Sequence, residues 1–459
     1  MARGKKAEKA LTPEERLAQA LVSMEEQPYP VPENWCWTTL SYVAVVVTGG
    51  TPSKKQPKYY GNAFPFFKPT DLNAGRYVFE ATEYLSEEGK AVARLIPANS
   101  TAVCCIGSIG KSGYLIVDGT TNQQINSAIP KYNPLYLYYY INTDCFINQL
   151  GAKASATTIS IVNKSKMEQC FFPLSPLAEQ QRIVDRIESL FAKLDEAKEK
   201  AQAVVDGFET RKAAILHRAF TGELTAKWRK AHKVGIKSWK YYKYAELGTA
   251  KLGKMLDKSK NTGQETKYLR NINVRWFDFD LSDLASMLAS NEERRALSVE
   301  QGDLFICEGG EPGRCAVWKE HSCELIFQKA LHRFRPNHRS INGFLCYNLY
   351  YMSLNGSLEQ HFTGSTIKHL TGQSLAKIEI LLPCIEEQIE IVRILDNLLA
   401  KEQQAKEAAE AVIGQIDTMK KSILARAFRG ELGTNDPVEE SAANLLSQYF
   451  HGGGIANGA

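Results

Sequence analysis

Between residues 183 and 208 the apolar positions Ile183, Ile187, Leu190, Leu194, Ala197, Ala201, Val204 and Phe208 recur in alternating steps of four and three. That spacing lines one face of a helix and is the seam of a coiled coil. A second run with the same spacing takes in Ile391, Leu395, Leu398, Ala405, Ala409, Val412, Ile416, Met419 and Ile423. Glu402 interrupts it where the first run has Leu194, so one layer there is expected to be imperfect or solvated. Each run predicts one helix of about 40 residues, roughly 60 Å long at 1.5 Å per residue. Helices of that length rarely stand alone in water, and two in one chain offer each other an apolar stripe. Two helices packing locally in unrelated domains would show the same spacing.

The ends of the two runs settle their relationship. A shift of 208 positions, without a gap, lays residues 178–224 over 386–432. Glu179/Glu387, Gln180/Gln388, Ile183/Ile391, Val184/Val392, Leu190/Leu398, Lys198/Lys406, Ile215/Ile423 and Phe220/Phe428 coincide, and both copies finish in Gly-Glu-Leu. Thr158-Ile159 matches Thr366-Ile367 in the same register upstream. Two unrelated charged helices share Ala, Glu and Lys by chance, but not their termini; the chain is internally duplicated.

Ahead of each helix lies a stretch of aromatic and β-branched runs punctuated by Gly, Pro and Asn, which predicts short strands and turns. The two stretches are much less alike than the helices, yet landmarks recur in order. Each opens with Trp (Trp35, Trp239) and reaches a strand-like run ending in a basic residue, Lys68 or Arg270. A glycine-rich turn (residues 107–113 and 309–315) and then a Gln-bearing segment follow in both. The expected order is an N-terminal helical extension (1–30), a variable domain (31–173), a long helix (174–232), a second variable domain (233–382), a second long helix (383–433) and a tail (434–459) read as partly disordered. In the extension, Thr12, Pro13 and Glu15 form a capping-box start. An amphipathic snippet around Leu445, Leu446, Tyr449 and Phe450 precedes the Gly-rich end.

Composition narrows the class. The chain has 459 residues, 44% hydrophobic and 23% charged, as expected of a globular protein of two to four compact units. No run of about 18 apolar residues and no signal-peptide pattern occur, so a cytoplasmic chain with no membrane partner is expected. The ten cysteines include no Cys-x-x-Cys pair, and the histidines no HExxH pattern, so no metal site is expected. Gly110-Lys111-Ser112 suggests a phosphate-binding loop, but the motif's first glycine is replaced by Cys105, and a tight turn is the better reading. Asn133-Pro134-Leu135-Tyr136 looks like a degraded adenine-methyltransferase tetrad and reads instead as the start of an apolar helix. Glu196-Ala197-Lys198 sits on a charged helical face without a paired carboxylate. No catalytic constellation emerges.

Charge supplies the remaining signal. The net charge of +5 is mild, but residues 227–260 carry eleven basic residues against Glu246 and Asp257, interleaved with Trp228, Trp239, Tyr241, Tyr242 and Tyr244. Such a run suits phosphate contact, with a solvated linker into the next domain as the alternative. A second cluster, Lys54, Lys55 and Lys58, lies in a loop of the first domain. The candidate DNA-contacting residues are these three with Lys68, Asn73, Lys111, Lys251, Lys254, Arg270, Asn271 and Arg314. Lys68 matches Arg270 and Lys111 matches Arg314, and a basic side chain on a short loop reaches phosphate or guanine.

The helix opening PLAEQQRIVDRIESLFAKLDEAK, its end ILHRAFTGELT, and the phrases VPENWCW and TGGTPS resemble the specificity subunits of type I restriction-modification systems, over about residues 30–433. The resemblance implies a mixed α/β (α+β) fold. Two similar target-recognition domains are separated by two long antiparallel coiled-coil helices with a pseudo-twofold internal repeat. Each domain would read one half of a split site on double-stranded DNA. The helices, through seam residues Ile183, Ile187, Leu190, Leu194, Ile391, Leu395 and Leu398, would set the spacer and dock two methyltransferase subunits, which restriction subunits join. The chain itself would be non-catalytic and bind no cofactor, with S-adenosylmethionine on the methyltransferase and ATP and Mg on the restriction partner. A fused single-chain restriction-methyltransferase would need the missing cofactor loop. A purely structural coiled-coil scaffold would not need two aromatic-rich domains.

Overall fold

The computed structural model describes residues 12–73, 76–155, 160–257, 261–321 and 324–451. It divides into two compact units, one made of residues 1–200 with 412–459 and the other of 201–411. Both follow one plan.

In the first unit a five-stranded sheet runs in the order Ala44–Thr48, Ile125–Pro130, Ser100–Cys104, Ser112–Leu115, Tyr77–Val78. In the second, Gly248–Leu252, Leu331–Pro336, Leu304–Cys307 and Cys315–Val317 repeat that order. The first three strands are antiparallel neighbours in each, with Ser127 opposite Val47 and Ala102, and Phe334 opposite Ala250 and Leu304. A smaller sheet stands beside each: Phe64–Phe67 runs parallel to Thr120–Thr121, and Gln264–Leu269 parallel to Ile326–Phe327. A two-strand ribbon joins the domain's opening to the run-in of its helix, Cys36–Thr39 on Phe171–Leu174 and Lys240–Lys243 on Glu379–Leu382.

The apolar helix expected at Asn133 is present as Pro134–Ile141, capped by the Asn133 side chain on the Leu135 and Tyr136 N–H groups. Its aromatic face packs with Ile183, Ile187, Leu424, Ala427 and Phe428 in one core. Helix Asn342–Leu354 does the same in the second unit with Leu216, Ile391 and Leu395. The seam residues nearest the domains are therefore core residues, all four isoleucines and leucines at 183, 187, 391 and 395 being buried, whereas Leu190, Leu194 and Leu398 are half-buried. Farther along, Val412 and Met419 are exposed, so the seam does not continue as a dry stripe there.

The first expected helix departs from expectation at Gly207, where Leu177–Asp206 ends and Phe208–Phe220 begins. The second runs unbroken from Ile385 to Ala427. In the unit containing residues 412–459, Lys420 reaches Asp195; in the other, Arg211 reaches Glu402. Within each unit the two helical segments thus run antiparallel. Glu402, the expected flaw in the seam, is half-buried and ion-paired at 2.7 Å rather than left to solvent.

The extension and tail belong to the first unit. Helix Pro13–Ala20 has the predicted Thr12–Glu15 capping box, and the amphipathic snippet is helix Ala443–His451 with Leu446 buried. Arg182 holds Glu439 through two hydrogen bonds of 2.8 Å, and the Ala442 N–H donates to the Asn34 carbonyl at 2.8 Å. The end of the tail, 452–459, lies outside the described residues.

Candidate nucleic-acid interface

One end of each main sheet collects five loops. In the first unit these follow Thr48 and Phe67, connect Cys104 to Ser112 and Thr121 to Ile125, and include the segment bounded by a bridge between Ser155 and Ile161, whose residues 156–159 lie outside the described residues. In the second they follow Leu252 and Leu269, connect Cys307 to Cys315 and Phe327 to Leu331, and include a finger closed by Thr363 and His369. Backbone bonds lock the loops together in matching fashion. Asn122 N–H donates to Phe67 O at 3.1 Å as Gln328 does to Leu269 O at 2.9 Å. Val162 N–H donates to Cys105 O at 2.8 Å as Leu370 does to Glu308 O at 2.7 Å.

Gly49 and Gly253 occupy equivalent places in this frame. A Cβ on Gly49 would overlap the carbonyls of Thr121 and Asn122, and one on Gly253 those of Phe327 and Gln328. Only glycine admits so close a backbone approach.

The sequence match of Lys68 to Arg270 and of Lys111 to Arg314 is a structural one. The Lys68 N–H donates to Asp71 Oδ2 at 2.7 Å, and the Arg270 N–H to Asn273 Oδ1 at 2.9 Å, closing the same short turn. Lys111 Nζ donates to the carbonyl of Pro69, the residue after Lys68. Arg314 Nη2 donates at 2.8 Å to the carbonyl of Asn271, the residue after Arg270. Lys111 and Arg314 are thus ties between two loops of the interface. Asn271 joins the same knot, its Nδ2 donating to Gly309 O at 3.3 Å.

Most of the remaining candidate cations meet a carboxylate of their own domain. Lys58 lies 3.3 Å from Glu88, Lys68 pairs with Glu83, Lys254 with Glu293, Arg270 with Asp283 at 2.7 Å, and Arg314 with Glu311 at 2.7 Å. The Lys254 ammonium beside Glu293 holds that carboxyl below the usual range. The Nε atoms of Arg270 and Arg314 are buried without a protein partner. Lys54, Lys55 and Lys251 are exposed and make no ion pair among the described residues. The side chain of Asn73 lies outside the described residues, as do Lys258 and Lys260 of the basic run.

The rest of that run divides. Lys227, Lys230, Lys233, Lys237 and Lys240 are exposed, but Arg229 and Trp239 are buried and serve the frame. Trp239 Nε1 donates to Glu387 Oε2 at 2.9 Å, while Arg229 Nη1 and the Thr225 hydroxyl each donate to Oε1 at 2.6 Å. In the first unit Trp35 Nε1 donates to Glu179 at 2.6 Å and Asn435 Nδ2 at 2.9 Å. Burial pushes the Glu179 carboxyl up. Next along each helix, Gln180 donates to Ser175 O and accepts from the Asn133 N–H, as Gln388 does with Pro383 O and the Ile341 N–H. Two turns on, Tyr139 meets Glu188, and Tyr347 meets Asp396 at 2.6 Å. These anchors fix each sheet-bearing domain to the start of its helix.

Sequence reasoning missed interface residues on the Gln-bearing segments and the finger. Thr51 Oγ1 donates to Gln123, and Lys329 and Lys368 are exposed on the second unit's loops. The recurrence of the Gln segment in both copies was the available signal. Among the described residues, no group of three His, Cys, Asp or Glu side chains is placed to hold a metal ion, and no helix is long and apolar enough to cross a membrane.

The sequence profile of the type I restriction modification DNA specificity domain matches residues 32–205 and again 236–411. The EcoKI specificity subunit of Escherichia coli K12 is 23% identical over 451 residues, covering 91% of this chain and 95% of that protein. The StySPI specificity subunit of Salmonella potsdam is 22% identical, covering 88% and 90%. The crystal structure of the HsdS subunit from Thermoanaerobacter tengcongensis superposes with a TM-score of 0.64 at 20% identity, over 89% of this chain and all of that one.

Proposed function

The chain belongs to the type I restriction-modification DNA specificity family, and from that premise we propose that its two loop clusters each read one half of a split double-stranded DNA site. The observation that carries this is a single loop frame built twice with different side chains. Lys68-Pro69-Thr70-Asp71 stands in one turn and Arg270-Asn271-Ile272-Asn273 in the other, held by the same hydrogen bonds. Identical scaffolds with different tips suit two readers of different bases. Lys54, Lys55, Lys58, Lys251 and the exposed lysines of 227–240 serve the phosphates. Lys68, Lys254, Arg270 and Arg314 can exchange an intramolecular carboxylate for phosphate or a base edge when DNA arrives.

The chain acts as a subunit and not as an enzyme by itself. Methyl transfer belongs to two methyltransferase subunits that carry S-adenosylmethionine and dock on the paired helices. Cleavage belongs to restriction subunits that use ATP and Mg. The complex works in the cytoplasm, where its DNA lies.

Mapping methylated adenines across the genome of the host strain tests the proposal. Two dissimilar short blocks flanking a fixed gap are expected. An uninterrupted palindrome would overturn the two-reader assignment, as would methyl transfer to DNA by the purified chain alone.

A further inference from the structure

The finger of the second unit is unlike the loops around it. Thr363 and His369 exchange backbone hydrogen bonds of 2.8 and 2.9 Å, closing a five-residue tip. Its base is pinned, since Leu370 is buried and bonded to Glu308, and the His369 ring lies against Gly309 of the glycine-rich turn. Gly364 takes a φ of +92°, and a Cβ there would overlap the Ile367 carbonyl, so the tip is folded tightly on itself. Out of this compact stalk projects Ile367, 67% exposed, flanked by exposed Ser365, Thr366, Lys368 and His369.

The finger's sequence behaves differently from that of the reading loops. The tips of the Lys68 and Arg270 turns differ, Pro69-Thr70-Asp71 against Asn271-Ile272-Asn273, whereas Thr-Ile recurs in one register at 158–159, outside the described residues, and at 366–367. The bridge that closes the finger, Thr363–His369, also lies 208 residues after the Ser155–Ile161 bridge of the first unit. A Thr-Ile pair kept in both loops, between neighbours that differ, on two readers of different sequences meets something that is the same at both half-sites.

We propose that this finger is a DNA wedge: Ile367 presses into the base stack of the half-site read by the second domain, without regard to base identity. The inference rests on the DNA-reading assignment above. The ligand chemistry follows from the tip. A protein-docking hot spot is an aromatic or Arg anchor within a desolvated patch, whereas here one branched aliphatic side chain stands alone on a polar, cationic stalk. Such a shape fits the slot between adjacent base pairs, where Ile, Leu, Phe, Met and Pro act as wedges and unstack a step. Lys368 beside it is placed for the adjoining phosphate, and His369 joins the finger to the loops that set register. Opening a step serves the partner's chemistry, because a base must leave the stack before it can be methylated. Both half-sites need that service equally, which accounts for the Thr-Ile shared by the two loops.

The test uses the assembled methyltransferase complex with Ile367→Ala and Ile367→Leu. Duplexes carry 2-aminopurine beside the methylated adenine of one half-site or the other, so that the first half-site is an internal control. Wild type is expected to brighten the probe at both positions. Ile367→Ala should abolish the rise, and slow methyl transfer, only at the second half-site while complex assembly and specific binding persist; Ile367→Leu should retain both. An unchanged fluorescence rise with Ile367→Ala would overturn the wedge. Loss of assembly with the methyltransferase subunits would also overturn it, marking the tip as a protein contact. Failure of the wild-type complex to bind a split site would defeat the DNA-reading assignment itself, an outcome distinct from either.

Discussion

Trp239 donates its indole N–H to the Glu387 carboxylate at 2.9 Å, 148 residues away in sequence, and the pair is buried at the point where the second reading domain meets its helix. Arg229 completes the site with side-chain exposures of 9% for the arginine and 0% for Glu387. Removing one member of a buried, hydrogen-bonded ion pair leaves a charge that neither water nor protein satisfies. Arg229→Met should therefore cost about 3–5 kcal/mol, and Trp239→Phe about 1–3 kcal/mol. Urea unfolding followed by hydrogen exchange checks this: amides of 201–411 should lose protection first. Equal loss in the first unit, or no loss, would contradict the assignment.

His332 gives the second unit a pH dependence. Its ring is buried, with Nε2 2.9 Å from the Leu370 carbonyl, and burial lowers its pKa against the smaller opposing pull of that carbonyl and Glu308. The folded state thus binds the proton less readily than the unfolded chain. Stability from this group is intact above the ordinary value of 6.5 and is lost as pH falls through it toward the lowered folded pKa. Melting of the second unit should drop between neutral pH and about pH 5.5, and His332→Gln should flatten that slope. A slope identical in the variant would clear His332 of the effect.

The two kinds of interface lysine should separate in DNA binding. Lys54→Gln with Lys55→Gln removes two exposed charges that make no ion pair among the described residues, unlike Lys58 of the same loop. Affinity should fall alike for cognate and unrelated DNA, and the salt slope should shrink by about one for each phosphate the loop no longer neutralises. Lys111→Met instead cuts the tie to the Pro69 carbonyl and should lower the first unit's stability. Its salt slope should stay at the wild-type value; a reduced slope would place Lys111 on phosphate after all.

What the sequence disclosed and what it hid follow from the range of the interactions. The duplication was legible because the anchors Glu179/Glu387 and Gln180/Gln388 keep one register, and the structure adds Tyr139/Tyr347 and Glu188/Asp396 in that same register. The pairing of Lys68 with Arg270 and Lys111 with Arg314 was legible because backbone turns hold them alike. Their partners were not. Lys111 meets a carbonyl 42 residues away and Trp35 a carboxylate 144 residues away, distances at which no periodicity speaks. For the same reason Trp239 and Arg229 read as part of a DNA-binding run although both are buried structural donors. The seam pattern predicted an apolar stripe broken only at Glu402, but spacing cannot tell which layers face a domain core, as Ile183 and Ile391 do, from those that face water, as Val412 does.

The Arg211–Glu402 pair yields the last prediction. Under the 208-residue shift Glu402 corresponds to Leu194, and Arg211 to Met419, so the second unit holds an ion pair at positions where the first unit holds two apolar residues. Arg211 does more than neutralise Glu402: its Nε donates at 2.7 Å while Nη2 donates at 2.9 Å to the Val204 carbonyl, just before the interruption at Gly207. The pair is partly solvated, with side-chain exposures of 38% and 23%, so its net electrostatic contribution is discounted to about 1 kcal/mol or less. Arg211→Met alone should destabilise the second unit, because Glu402 is left half-buried without its partner and the Val204 carbonyl loses a donor. Adding Glu402→Leu recreates the residues of the first unit and should recover that loss or exceed it, since apolar packing often matches or betters an ion pair at a helix interface. A double-mutant cycle read by chemical denaturation gives the coupling. If the two single changes simply add, the residues act independently and the ion pair is not what repairs the seam at this layer.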